Sequence, residues 1–92
     1  MTVKEYTIDC LEIRSREDFH RILSETLSFP EWYGNNLDAL HDCLGEIFEP
    51  TRLTLDNFSA LKENLGDYAA KLIFLLHDIT EENPNLDIEL EN

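Results

Sequence analysis

The sequence predicts one α/β domain over residues 1–92, with helices crossing between parallel strands. Three observations carry this expectation. Short β-branched or alternating runs stand near the start, in the middle and at the end of the chain. Amphipathic segments with helix start and stop signals fill both intervals between them. The 92 residues suffice for one core but not for two. Helical crossovers in the order β-α-α-β-α-α-β favour a parallel sheet with right-handed connections.

Thr2 to Asp9 places Val3, Tyr6 and Ile8 among polar neighbours and reads as the first strand. Ser15 followed by Asp18 resembles a capping box and opens a helix over about residues 16–28, with Phe19, Ile22, Leu23 and Leu27 as its buried stripe. Pro30 breaks that helix. Trp32-Tyr33-Gly34-Asn35-Asn36 then reads as a turn in which Gly34 takes positive φ. Asn36 caps a second helix, from Leu37 to about Phe48, which Pro50 stops. Arg52 to Asp56 is a short strand, and Asn57 caps a brief helix over 58–65 that ends at Gly66. Asp67 starts a longer helix whose apolar face carries Tyr68, Ala69, Leu72, Ile73, Leu75, Leu76 and Ile79, with Pro84 beyond its exit. Leu86 to Glu91 alternates cleanly, as a last strand with one buried face does.

The chain is 42% hydrophobic with few Gly and Pro, so it can bury a core despite a formal charge of −13. That field repels nucleic acid and anionic membranes and speeds encounter with a cationic protein. Direct nucleic-acid and membrane binding are therefore not expected. The start lacks a basic-then-apolar signal pattern, and no apolar run approaches the ~20 residues that span a bilayer. Cys10 and Cys43 have neither CxxC nor metal-ligand spacing. The expectation is a cytoplasmic monomer with reduced thiols and no cofactor, although spacing alone leaves a disulfide open.

The second predicted helix carries the strongest functional signal. At about 100° per residue, Leu37, Ala39, Leu40, Cys43, Leu44, Ile47 and Phe48 share one broad sector, and Asp38, Asp42, Glu46 and Glu49 lie opposite. Like charges four apart cost an isolated helix a few tenths of a kcal/mol per pair. Stacking three of them, with no Lys or Arg between Ile22 and Thr51, suggests a use for the stripe. Trp32 and Tyr33 precede it. One of them can staple the helix to the core, and the other, among Glu31, Asn35 and Asn36, suits an exposed hot spot. Asp78 and Glu82 share one side of the last helix and either extend this acidic surface or form an ordinary solvated face. An enzyme is disfavoured: His41 and Asp42 are adjacent and diverge by about 100° on a helix, and no Ser elbow, P-loop or GxGxxG is present. A metal site is disfavoured because no loop gathers the acids.

The segment PEWYGNNLDALHDCL, 30–44, resembles the signature segment of the barstar family, retaining aromatic-Tyr-Gly-x-Asn-Leu-Asp-Ala-Leu-x-Asp-Cys-Leu without a gap. The resemblance implies a three-stranded parallel sheet packed with four helices, and an intracellular inhibitor of a small basic ribonuclease. It implies that the second helix and its preceding loop plug the enzyme's active site. Asp42 then stands in for a substrate phosphate and Asp38 adds a second carboxylate. Trp32 takes the place of a family Tyr, and Gly34, Asn36 and Leu37 make further contacts. Tyr33, His41 and Glu46 complete the expected contact set, with Asp78 added if a gap is placed near Pro84. Several positions depart from the family pattern: His41 and Ile47 stand where it has Trp, Leu86 where it has Cys, and the loop before Pro50 is one residue shorter, leaving the Glu49–Pro50 isomer open. The His41 and Ile47 departures motivate one alternative, a module of the same fold that binds some other cationic protein; a small enzyme using His41 with its acidic neighbours stands as a contrast.

Overall fold

A computed structural model describes residues 2–92. Its elements are β1 (Lys4–Asp9), α1 (Arg16–Leu27), α2 (Leu37–Gly45), β2 (Thr51–Asp56), α3 (Phe58–Leu65), α4 (Asp67–Glu82) and β3 (Leu86–Leu90), with a single 3-10 turn at Cys10–Glu12. The predicted order of strands and helices holds. All strand pairing is parallel, in the spatial order β1-β2-β3, with Tyr6 beside Leu53 and Leu53 beside Ile88.

This strand order has a consequence for the layers. Two right-handed crossovers that advance the same way put every helix on the same face of the sheet. Burial agrees: Ile8, Leu53, Leu55 and Leu86 are buried, whereas Glu5, Thr7, Asp9, Arg52, Asp87 and Glu89 are exposed. Parallel sheets are ordinarily covered on both faces; here one face is open and polar. Arg52 in the central strand reaches its two register partners there, Glu5 at 3.6 Å and Asp87 at 3.2 Å. Each exposed pair is worth only about 0–1 kcal/mol.

Between the sheet and the helices lie Phe19 and Leu23 of α1, Leu40 and Leu44 of α2, Leu61 of α3, and Leu72 and Ile79 of α4, none more than 1% exposed. Burying each such side chain contributes roughly 1.5–3 kcal/mol. Local signals set the helix starts. Ser15 Oγ accepts from the Asp18 amide (3.1 Å), and Asn36 Oδ1 accepts from the Ala39 amide (2.8 Å). Gly66, at φ 55° and ψ −125°, both ends α3 and opens α4.

Several local expectations are corrected. Gly34 does not take positive φ; Asn35 does, at 53°. Gly34 is instead a close-approach glycine, since a Cβ there would meet Asn36 Nδ2 at 3.0 Å, the atom that donates to the Gly34 carbonyl. Helix α2 ends at Gly45 rather than near Phe48, because the buried Asn83 donates through Nδ2 to the Leu44 carbonyl (2.9 Å) and the Ile47 carbonyl (3.0 Å). Beyond that point the helical sector no longer applies: Ile47 is half-buried and Phe48 is 80% exposed. Asn57 is left-handed (φ 57°) and makes no side-chain cap; its amide nitrogen donates to Asp9 Oδ1. No cis peptide occurs among the described residues, so Glu49–Pro50 is trans. Cys10 and Cys43 are both buried and unpaired. Burial, with Asp9 and Asp56 adding to it, pushes the Cys10 thiol up to about 11, which keeps it protonated and unreactive.

Candidate partner-binding face

The loop between α1 and α2 is tied down at several points. The Phe29 amide donates to the Ser24 carbonyl (2.9 Å), and the Tyr33 amide donates to the Pro30 carbonyl (3.0 Å). The rings of Phe29 and Tyr33 pack 4.9 Å apart. The two aromatics divide as their polar setting suggests: Trp32 is 70% exposed, and Tyr33 is 8% exposed. Tyr33 was expected among the contact residues, but its ring lies under the loop and its hydroxyl is 2.6 Å from His20 Nδ1. It supports the site from below rather than on its surface.

Helix α2 rises from the Asn36 cap with Asp38, Asp42 and Glu46 exposed along it and Leu37 half-buried at its start. Among the described residues none of these three acids forms an ion pair. A helix supplies the ridge with fixed spacing, so the carboxylates are displayed with their backbone already ordered. Burial raises the Cys43 thiol, and the charges of Glu46 and Asp42 raise it further, so it stays a small apolar side chain on the inner side of the same helix.

On the α4 side, His41 is half-buried and its Nε2 lies 3.1 Å from Glu82 Oε2. This contact brings an α4 carboxylate to the flank of α2. Asp78, one turn earlier on α4, is also exposed. The acidic surface thus continues from α2 onto the end of α4, through Glu82 by direct contact and through Asp78 by helical spacing. Trp32, Gly34, Asn36, Asp38, Asp42, Glu46 and Asp78 are all solvent-facing, and His41 and Leu37 are partly so.

Three of the clefts in the surface are lined by described residues. One of about 290 Å³, between the end of α1 and the α2–β2 connection, includes Cys43, Glu46 and Phe48. None of the three includes His41. Among the described residues no three His, Cys, Asp or Glu side chains stand close enough to hold a metal ion. Among the described residues no helix is long and apolar enough to cross a membrane.

Sequence reasoning missed His20 and Asn83. Both act through contacts to distant segments. The local signal open to it at His20 was its place directly beside Phe19 on the inner side of α1.

A small parallel α/β fold presenting an aromatic loop and a ridge of unpaired carboxylates defines a protein of recognition, not of reaction. Comparison with known proteins specifies the class. Residues 3–91 match the family model described as Barstar (barnase inhibitor), and the chain belongs to that family. That family is one of inhibitors rather than enzymes. The chain is also 37% identical over 81 residues, 87% of this chain and 89% of the relative, to a protein of Bacillus subtilis (strain 168) named "Putative ribonuclease inhibitor YrdF".

Proposed function

We propose that this protein acts in the cytoplasm as a monomer that binds a small basic ribonuclease and occludes its active site with the Trp32 loop and helix α2. The observation that carries this reading is the row Asp38, Asp42 and Glu46, solvent-facing and without a cationic partner among the described residues. In the bound state Asp42 occupies the place of a substrate phosphate among the enzyme's cationic groups, and Asp38 adds a second carboxylate to the same rim. Charge-assisted hydrogen bonds to Arg or Lys are about twice as strong as neutral ones. The net charge of −13 steers the encounter. Inhibition needs no chemistry from the inhibitor, only a surface that excludes RNA.

The test is titration of the purified protein into a guanyl-preferring ribonuclease, repeated with Asp42→Ala. Wild type abolishes RNA cleavage at stoichiometric excess. The variant binds more weakly by about 2–5 kcal/mol, a range known from truncated charge pairs at protein interfaces, this family's among them. Undiminished cleavage with excess wild type, or equal inhibition by the variant, defeats the reading. A second reading, a different cationic protein as partner, is favoured by one feature: the imidazole of His41, engaged with Glu82, stands where the family has an aromatic anchor. Affinity capture from the native host separates the two, because it identifies the bound protein directly.

A further inference from the structure

One buried polar cluster has no place on the binding surface yet touches the loop that forms it. His20 is 1% exposed, and both of its ring nitrogens meet tyrosine hydroxyls at 2.6 Å: Nδ1 meets Tyr33 and Nε2 meets Tyr68. A neutral imidazole carries one N–H and one lone pair. It therefore donates to one hydroxyl oxygen and accepts the proton of the other. Both contacts are long-range, 13 and 48 residues apart in the chain, and they join α1, the Trp32 loop and the first turn of α4. The Arg16 guanidinium lies over the Tyr68 ring, 5.2 Å from its centroid.

The geometry of the loop gives this cluster a consequence. The other loop ties named above are local, from Phe29 to Ser24, from Tyr33 to Pro30 and from Asn36 to Gly34 and Ala39. The Tyr33 hydroxyl is the hydrogen-bonding group that fastens the loop, through His20, to the far helix. Trp32 is the adjacent residue and is exposed, so the backbone it shares with Tyr33 carries its orientation.

We infer that Tyr68 is a positioning residue for partner binding: through His20 and Tyr33 it fixes the direction in which Trp32 is presented. The inference rests on the proposed function for its consequence in binding, but not for its effect on the loop. Ordering a side chain before association removes a cost otherwise met at binding. Loosening the relay therefore weakens inhibition without touching any residue on the surface.

The experiment uses the full chain with Tyr68→Phe, which keeps the ring and removes one hydroxyl. Trp32 is the single tryptophan, so its fluorescence anisotropy in the free protein reports loop order directly. Expected results are lower Trp32 anisotropy in the folded variant and inhibition weakened roughly 2- to 12-fold. Tyr33→Phe gives a similar loss, and the double variant loses less than the sum, because both act through one imidazole. In a Trp32→Ala background, Tyr68→Phe no longer changes inhibition. A purely structural role predicts a lowered melting temperature with unchanged anisotropy below the melt, and that result overturns the inference. So does a Tyr68→Phe effect that persists in full without Trp32. If wild type inhibits no ribonuclease, the proposed function fails by itself, while the anisotropy of the free protein still decides whether the relay exists.

Discussion

Two surfaces of this protein are exposed and acidic, the outer side of α2 and the open face of the sheet, and they treat their acids in opposite ways. On the sheet, Glu5 and Asp87 flank Arg52, and Asp9 accepts from the Leu11 amide and from Asn57. Those two hydrogen bonds hold the Asp9 carboxyl below the usual carboxylate range. The neighbouring Asp56 carboxyl raises the Glu91 carboxyl above that range. On α2 and its C-cap, Asp38, Asp42 and Glu46 form no ion pair among the described residues. On the sheet face Glu5, Asp87 and Asp9 are answered from within the fold while Glu89 is not; on the helix the whole row is left to be answered from outside. Acidity alone marks neither as a site; the reading proposed for α2 rests on a row of unpaired carboxylates beside the exposed Trp32.

The largest expected effect sharpens this contrast with charge-matched variants. Asp38→Asn/Asp42→Asn and Glu5→Gln/Asp87→Asn each remove two negative charges. The first pair weakens ribonuclease binding by more than about 3 kcal/mol, over a hundredfold, and the second by less than about threefold. Inhibition constants measured at two salt concentrations decide it, since steering by net charge alone would make the two pairs equal and similarly salt-dependent.

Next in size is the device that ends α2. Asn83→Ala removes the donor to the Leu44 and Ile47 carbonyls, inside the fold, and lowers unfolding free energy by about 1–3 kcal/mol, measured by urea denaturation. Loss of the N-terminal cap in Asn36→Ala costs about 1 kcal/mol by the same method and also frees the Gly34 carbonyl from its side-chain donor. Were Asn36→Ala to weaken inhibition far more than stability, the loop-to-helix junction would itself be a contact.

A smaller effect depends on pH. Burial lowers the pKa of His20, opposed by Glu17 and reinforced by Arg16. Because the folded value lies below the unfolded one, the unfolded chain binds the proton first as pH falls. The His20 contribution is then intact above the ordinary histidine value of about 6.5 and is lost progressively below it. Melting temperature measured from pH 8 down to pH 5 should therefore fall, and should fall less steeply in His20→Gln. The smallest effect belongs to the sheet face: Glu5→Gln changes stability by less than about 0.5 kcal/mol.

Much of the fold was legible because its determinants are local. Ser15 and Asn36 bond amides three residues ahead, Gly66 supplies a conformation at its own position, and the spacing of Leu40 and Leu44 marks a helix face. The acidic ridge was legible for the same reason, since Asp38 and Asp42 lie one turn apart. What misled was also local: continuing the 100° rotation past Gly45 counted Phe48 as apolar face, when Asn83 had already ended the helix. Gly34 invited a positive φ that Asn35 adopts instead.

The amino-acid order by itself determined the sequence of strands and helices, the capped start of α2 and the side on which its carboxylates stand. Hydrogen-bonding rings and side-chain periodicity close within a few residues, so neighbours suffice to specify them. Only the tertiary structure decided that the sheet is covered on one face, that Tyr33 points inward while Trp32 points out, and that His20 joins the loop to α4. Those outcomes depend on which distant segments share a buried volume, where an imidazole must find both its partners or remain unpaired out of reach of water.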